Sequence, residues 1–378
     1  MFDFRVTALD AGSAARAGRL GNGRAAIDTP VFMPVGTQAT VKTLSADDLK
    51  GCGAGIILAN TYHLYLRPGH GLIRDLGGLH RFSSWDRLLL TDSGGFQVYS
   101  LATLNRITDD GVRFQSHLDG SYHMFTPELS MEIQASLGSD IVMAFDQCTT
   151  YPCEPSDSRI ALERTVAWAA RSREAFDRRD RLPDSDQALF GIVQGSVFPD
   201  QRRECAARLV EIGFDGYAIG GLAVGESKGA MWETVEALEP HLPPDRPRYL
   251  MGVGTPEDLI DGVRRGVDMV DCVLPTRNAR KGTVFTRDGR LVVKNAAYAR
   301  DERPLEPGCG CPTCRNYSRA YLRHLFQAGE MLGPRLASLH SVYFYLNLMS
   351  ELRQSLSEGR FGAWSREFLA RYRDNKRE

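Results

Sequence analysis

The chain has 378 residues, 46 Lys and Arg against 47 Asp and Glu, a formal net charge of −1, and 43% hydrophobic and 25% charged residues. These values are ordinary for globular proteins and exclude disordered, collagen-like and small disulfide-stapled chains. At this length roughly 75% of the unfolded surface can be buried, in one large domain or two ordinary ones.

The N-terminal MFDFRVTALDAG has acids where a secretory leader would carry positive charge and an apolar run. The longest uncharged stretch, residues 51–66, includes Asn60, Thr61 and His63. A cytoplasmic protein with no membrane segment is expected. Eight apolar runs then follow in chain order: VFMPVG from Val31, GIILAN ending at Asn60, LLLTDSGG from Leu88, DIVMAFD ending at Asp146, LFGIVQG ending at Gly195, GYAIGGL from Gly216, RYLMGVG ending at Gly254 and MVDCVLP from Met269. Near-continuous hydrophobicity marks parallel strands covered on both faces, and their alternation with helical patterns predicts an α/β fold, a (β/α)8 TIM barrel. Helix starts are signalled at Thr126-Pro127-Glu128, Pro199-Asp200 and Thr255-Pro256-Glu257-Asp258.

Two stretches interrupt the repeat. Residues 109–126 read as a hairpin insertion around Asp119-Gly120, and VFT and LVVKN flank Asp288-Gly289 as a second hairpin. The predicted division is a catalytic barrel over 1–276, followed over 277–378 by that hairpin, a cysteine cluster and C-terminal helices packed on the barrel. Between Arg277 and Arg323 stand eleven Lys and Arg against four acids, a local excess of seven. Such a segment on a neutral protein is a candidate phosphate-binding surface.

Polar residues fall at the C-terminal ends of the predicted strands: Asn60, Asp92, Asp146, Gln194, Gly220-Gly221, Met251 and Asp271. In a parallel barrel these ends converge on the face that carries the active site. One strand-end aspartate is often only a helix cap; three at corresponding places, with a glutamine and a double glycine, are not explained that way. Two carboxylates suit glycosyl chemistry, one attacking an oxocarbenium-like carbon and the other managing the proton. Asp146 as acceptor and Gln194 as donor and acceptor would pair with the edge of a polar heterocycle, and Phe96 in TDSGGFQ could stack on a flat ring. Cys272, adjacent to Asp271, should point to the opposite face of its strand.

Cys309-x-Cys311-x-x-Cys314, with His340 after 25 intervening residues, supplies three thiolates and an imidazole for one structural zinc ion with no open position. His324 is the rival fourth ligand.

Together these motifs resemble the bacterial tRNA-guanine transglycosylase (queuine tRNA-ribosyltransferase) family, from TPVFMPVGT and NTYHLYLRPG through TDSGGFQV, MAFDQCT, GIVQGS, AIGGLAVGE, MGVGTPEDL and DCVLPTRNARKG to CGCPTCRNYSRAYLRHL. The resemblance implies a zinc-bearing barrel that exchanges the anticodon wobble guanine of certain tRNAs for 7-aminomethyl-7-deazaguanine by double displacement. It implies Asp271 as nucleophile and Asp92 as general acid/base. Base contacts would come from Asp146, Gln194, Gly221 and Leu222, with Phe96 and Met251 sandwiching the ring. Arg277, Arg280 and Lys281 would meet the anticodon loop, and the family suggests a homodimer. Val224 stands where relatives using the larger queuine have glycine, and DQCTT replaces the commoner DECTP, which bears on the peptide beside Asp146. The competing readings are a non-catalytic tRNA-binding subunit of the same fold, and an unrelated barrel glycosidase. The first would not need Asp92 and Asp271, and the second leaves the cysteine cluster and the basic segment unexplained.

Overall fold

The computed structural model describes residues 2–101, 105–179 and 186–374. The eight apolar runs form one closed parallel barrel: Val31–Gly36, Ile56–Ala59, Leu88–Thr91, Ile141–Met143, Ala188–Val193, Gly216–Ile219, Arg248–Leu250 and Met269–Cys272. The last strand closes on the first through Met269 opposite Val31 and Cys272 opposite Pro34. Period-two alternation sorts each strand's residues between two cores. Val31, Met33, Ile56, Leu58, Leu88, Leu90, Phe190, Ile192, Tyr249 and Met269 fill the barrel interior, while Phe32, Ile57, Leu89, Leu189, Leu250 and Val270 pack outward in the larger core shared with the helices.

An N-terminal antiparallel sheet, absent from the sequence-based expectation, precedes the barrel: Asp3–Leu9, Arg16–Gly21 and Ala26–Thr29. Leu20 and Ile27 join the interior cluster, Phe2 and Phe4 pack against it, and Phe2 meets Phe190 edge-on with ring centroids 5.9 Å apart. The sheet therefore plugs the barrel at the end where its strands begin. Helix starts follow the caps read from sequence. Thr126 accepts from the Leu129 amide ahead of Pro127–Leu137, and Thr255 and Asp258 form a reciprocal capping box ahead of Pro256–Arg264.

Residues 109–126 contain the expected hairpin, Gly111–Gln115 with Tyr122–Phe125, and Gly120 takes a φ of 75° in its turn. A third strand, Asn105–Thr108, extends it. That strand is short and mostly polar, so it carried no apolar signal.

Beyond the eighth strand come the helix Leu274–Ala279, the hairpin Thr283–Thr286 and Gly289–Val292, the helices Pro312–Asn316 and Arg319–Ala328, and then the long helix Leu332–Ser357, followed by Phe361–Asp374. The tail read as running to Glu378 passes outside the described residues after Asp374. The long helix returns to the barrel, touching the first strand and the helices Ala46–Gly51 and Pro256–Arg264. Tyr345 packs its ring 4.9 Å from that of Phe32 and donates to the Gly254 carbonyl at 2.7 Å, and Arg353 donates to the Pro30 carbonyl at 2.8 Å. It fills the eighth place in the outer ring of helices.

Candidate active site and metal centre

Strand parity aims the site. Leu88 and Leu90 point into the barrel and so does Asp92 one step beyond; Phe190 and Ile192 lead to Gln194, Tyr249 leads to Met251, and Met269 leads to Asp271. Parity also separates Asp271 from Cys272, which is buried in the outer core with its thiol pushed up to about 12 by burial. A thiol held neutral there is no nucleophile.

Asp92 is buried, and both carboxylate oxygens accept hydrogen bonds from the end of the second strand. Asn60 Nδ2 donates to Oδ2, and the Thr61 amide donates to Oδ1 at 2.9 Å. Burial pushes the Asp92 carboxyl up to about 7, with the nearby Asp271 charge adding to the shift against the Thr61 amide. Asp271 lies on the mouth side of the eighth strand, partly open to solvent. Its Oδ1 accepts from Tyr249 Oη at 2.7 Å and from the Gly252 amide at 2.8 Å. Desolvation raises this carboxyl too, and those donors oppose it.

Asp146 is held between Ser93, which donates to Oδ1 at 2.9 Å, and Gln194, whose Nε2 donates to Oδ2 at 2.8 Å. Close backbone approach makes this possible at two glycines. A Cβ on Gly95 would lie 2.6 Å from the Asp146 carbonyl oxygen, and one on Gly221, at a φ of 64°, would lie 2.3 Å from Gln194 Oε1. The buried Arg202 pins the fifth and sixth strand ends together, donating through Nη1 to the carbonyls of Val193 and Gly220 at 2.8 Å each and through Nε to that of Ser196 at 2.7 Å. Glu226 accepts from the amides of Ala223 and Val224, the second at 3.0 Å, fixing a loop in which Ala223 adopts a φ of 58°.

Other expected residues are less closely engaged. Phe96 is 47% exposed on the first turn of Gly95–Leu101, and Met251 caps the interior cluster. The Leu222 side chain packs into the outer core, and Val224 is half-buried. Arg277 and Lys281 are exposed and Arg280 half-buried; among the described residues none of the three makes an ion pair. Among the described residues, three of the segment's eleven bases have carboxylate partners: Arg287 pairs with Glu306 and Glu351, and Arg303 and Arg319 pair with Asp301.

The sulfur atoms of Cys309, Cys311 and Cys314 and a ring nitrogen of His340 lie within 4.8 Å of one another. His340 Nδ1 stands 3.4 to 3.7 Å from the three sulfurs, while Nε2 faces the Phe285 carbonyl at 3.0 Å. The carbonyl accepts a hydrogen bond from Nε2–H, which leaves Nδ1 free as a ligand. These four residues could hold a metal ion. His324 is exposed on its helix and takes no part.

The family described as queuine tRNA-ribosyltransferase matches residues 10–374. A queuine tRNA-ribosyltransferase from Caldanaerobacter subterraneus is 57% identical over 375 residues, 99% of each chain. Those from Syntrophobacter fumaroxidans and Symbiobacterium thermophilum are 59% and 56% identical, covering 97% and 98% of this chain and 96% and 91% of their own. The chain belongs to the queuine tRNA-ribosyltransferase family.

Within this queuine tRNA-ribosyltransferase fold, the departure at Gln147 is accommodated by the neighbouring helix. The Gln147 amide donates to Thr165 Oγ1 at 3.1 Å, and its side-chain oxygen accepts from Arg164 at 3.3 Å. The Asp146 carboxylate keeps its Ser93 and Gln194 partners beside it. Sequence reasoning missed Tyr249 and Arg202. Tyr249 had a signal, since it sits two residues before Met251 on the same strand face; Arg202, one of two adjacent arginines on a mixed helix, had none.

Proposed function

We propose that this protein is a tRNA-guanine transglycosylase, a pentosyltransferase of queuosine biosynthesis that exchanges the anticodon wobble guanine for 7-aminomethyl-7-deazaguanine. The observation that carries the reading is the pairing of two unlike carboxylates at one barrel mouth. Asp271 has one oxygen engaged by donors and is partly open; Asp92 is buried, with a carboxyl near neutrality. Asp271 attacks C1′ of the ribose as the bond to guanine N9 breaks, and protonated Asp92 gives its proton to the departing base. The resulting Asp92 carboxylate takes the N9 proton of the incoming base, which attacks C1′ and releases Asp271. Both groups are then restored, and two inversions retain configuration.

Asp146 and Gln194 would read the polar edge of the base, Gly221 and Leu222 would offer backbone atoms, and Phe96 and Met251 would close on its faces. Arg277, Arg280 and Lys281 follow the nucleophile closely in the chain and lack acidic partners among the described residues, which supports contact with anticodon-loop phosphates. The Cys309, Cys311, Cys314 and His340 set suits one structural zinc ion per chain, tying the inserted segment to the long helix. Family membership further supports a cytoplasmic homodimer; among the described residues no helix is long and apolar enough to cross a membrane.

The test is to incubate the protein with tRNA and labelled guanine. Label should enter the anticodon loop, and no incorporation with a competent tRNA would refute the reading. Elemental analysis should find one zinc per chain, lost in Cys311→Ser together with stability of the segment around it.

A further inference from the structure

The two donors on Asp271 meet the same atom. Tyr249 Oη and the Gly252 amide both reach Oδ1, at 2.7 and 2.8 Å, whereas Oδ2 accepts nothing from another described residue. Tyr249 is 0% exposed in the barrel interior, and its hydroxyl has no other hydrogen-bond partner among the described residues. A buried hydroxyl with one possible acceptor is committed to it.

We propose that Tyr249, with the Gly252 amide, fixes Oδ2 as the attacking oxygen of Asp271 and makes Asp271 a good leaving group in the second displacement. The proposal rests on Asp271 being the nucleophile. When Oδ2 bonds to C1′ and the guanine leaves with its electron pair and the Asp92 proton, Oδ1 changes from half of a carboxylate into a neutral ester carbonyl. Hydrogen bonds to an ionised acceptor are roughly twice as strong as those to a neutral one. Both donors therefore favour the free carboxylate over the glycosyl ester, slowing formation of the adduct and speeding its resolution. An exchange enzyme gains from that bias, since an over-stable adduct would hold the tRNA. Tyr249 is thus a positioning residue: it touches neither the base nor C1′ and acts through Oδ1.

Tyr249→Phe keeps the buried ring and removes only the donor. Rapid-quench trapping of the denaturant-stable protein–RNA adduct separates its formation from its release by added guanine. We expect release to slow about tenfold, the scale of one hydrogen bond to a charged group, and the steady-state adduct fraction to rise while formation is not slowed. A purely structural role would lower adduct formation and release together. Fluorotyrosine at position 249, a stronger donor of nearly the same shape, should speed release and lower the adduct fraction, and it supplies the opposite sign if the phenylalanine variant folds poorly. Unchanged or lower adduct in Tyr249→Phe, or no change in release with fluorotyrosine, would overturn the proposal. The nucleophile reading fails separately, if an Asp271→Asn enzyme still forms the adduct.

Discussion

The barrel buries aspartates at both ends and treats them differently. At the plugged end, Asp268 accepts from Arg16 Nε and Nη2 at 2.9 and 2.6 Å and from the Arg248 amide at 2.7 Å, and Asp140 accepts from Arg24 at 3.2 Å, Asn22 at 2.8 Å and the Leu89 amide at 2.8 Å. At the mouth, Asp92, Asp146 and Asp271 have, among the described residues, only neutral donors: amides, a serine, a tyrosine, an asparagine and a glutamine. A cation beside a buried carboxylate offsets part of the cost of burying its charge and locks structure. Neutral donors orient it but leave its charge and proton available. Asp92 and Asp146 are buried like Asp140 and Asp268, so for these four the partner, and not residue type or burial, is what differs between the two ends.

That contrast can be broken by exchanging one carboxylate at a time. Asp271→Asn should lower base exchange by at least about three orders of magnitude and abolish the adduct while tRNA binding persists; loss of binding in parallel with exchange would make Asp271 a structural residue after all. Asp268→Asn should do the reverse. It leaves the Arg16 guanidinium buried and unpaired, a loss of about 3 to 5 kcal/mol in unfolding free energy, with turnover per folded molecule little changed. Denaturant titration beside active-site counting checks both halves.

Asp92→Asn should reduce exchange by roughly 10²-fold, the scale of a general acid/base. The pH dependence gives its sign. With the carboxyl at about 7, the wild-type first displacement should fall as pH rises through that value, and the limb should vanish in the variant. Stability moves the same way. An acid raised from about 4 in the unfolded chain disfavours the fold increasingly as pH climbs from there toward 7. Asp92→Asn should therefore lose less stability between pH 5 and 8 than wild type, and a flat wild-type profile would contradict this. The smallest effect concerns the loop held by Glu226. Val224→Gly should raise queuine incorporation about tenfold, the scale of relieving overpacking, while 7-aminomethyl-7-deazaguanine is still accepted. Efficient queuine use by the wild type would end the steric argument.

The legible parts of this molecule carried either long apolar signals or rare residues at fixed spacing. Eight hydrophobic runs placed the barrel, and the residues following them placed Asp92, Gln194 and Asp271 on one face, because parity carries an orientation beyond the end of a strand. The Cys-x-Cys-x-x-Cys spacing marked three residues of the cluster that could hold a metal ion and left His340 and His324 as rivals for the fourth place, which only the fold decides for His340. The plug was hidden because Asp3–Leu9 alternates exposed with half-buried residues and buries nothing fully. Arg16 and Asp268, 252 positions apart, announce their pairing by no local pattern. Likewise, the charge count could not show that Glu351, 64 positions on, takes up Arg287, whereas Asp301 and Glu306, which pair with Arg303, Arg319 and Arg287, already stand among the segment's four acids.

The late return of the helix Leu332–Ser357 bears on how the protein is made. The first barrel strand, beginning at Val31, emerges from the ribosome early, yet the helix that covers its outer face, with Tyr345 on Phe32, comes more than 300 residues later. Until Tyr345 clears the exit tunnel the nascent barrel has an uncovered apolar flank, the kind of surface that chaperones hold and that aggregation exploits. Chains truncated before Leu332 should therefore precipitate or be degraded despite containing every barrel strand and both Asp92 and Asp271.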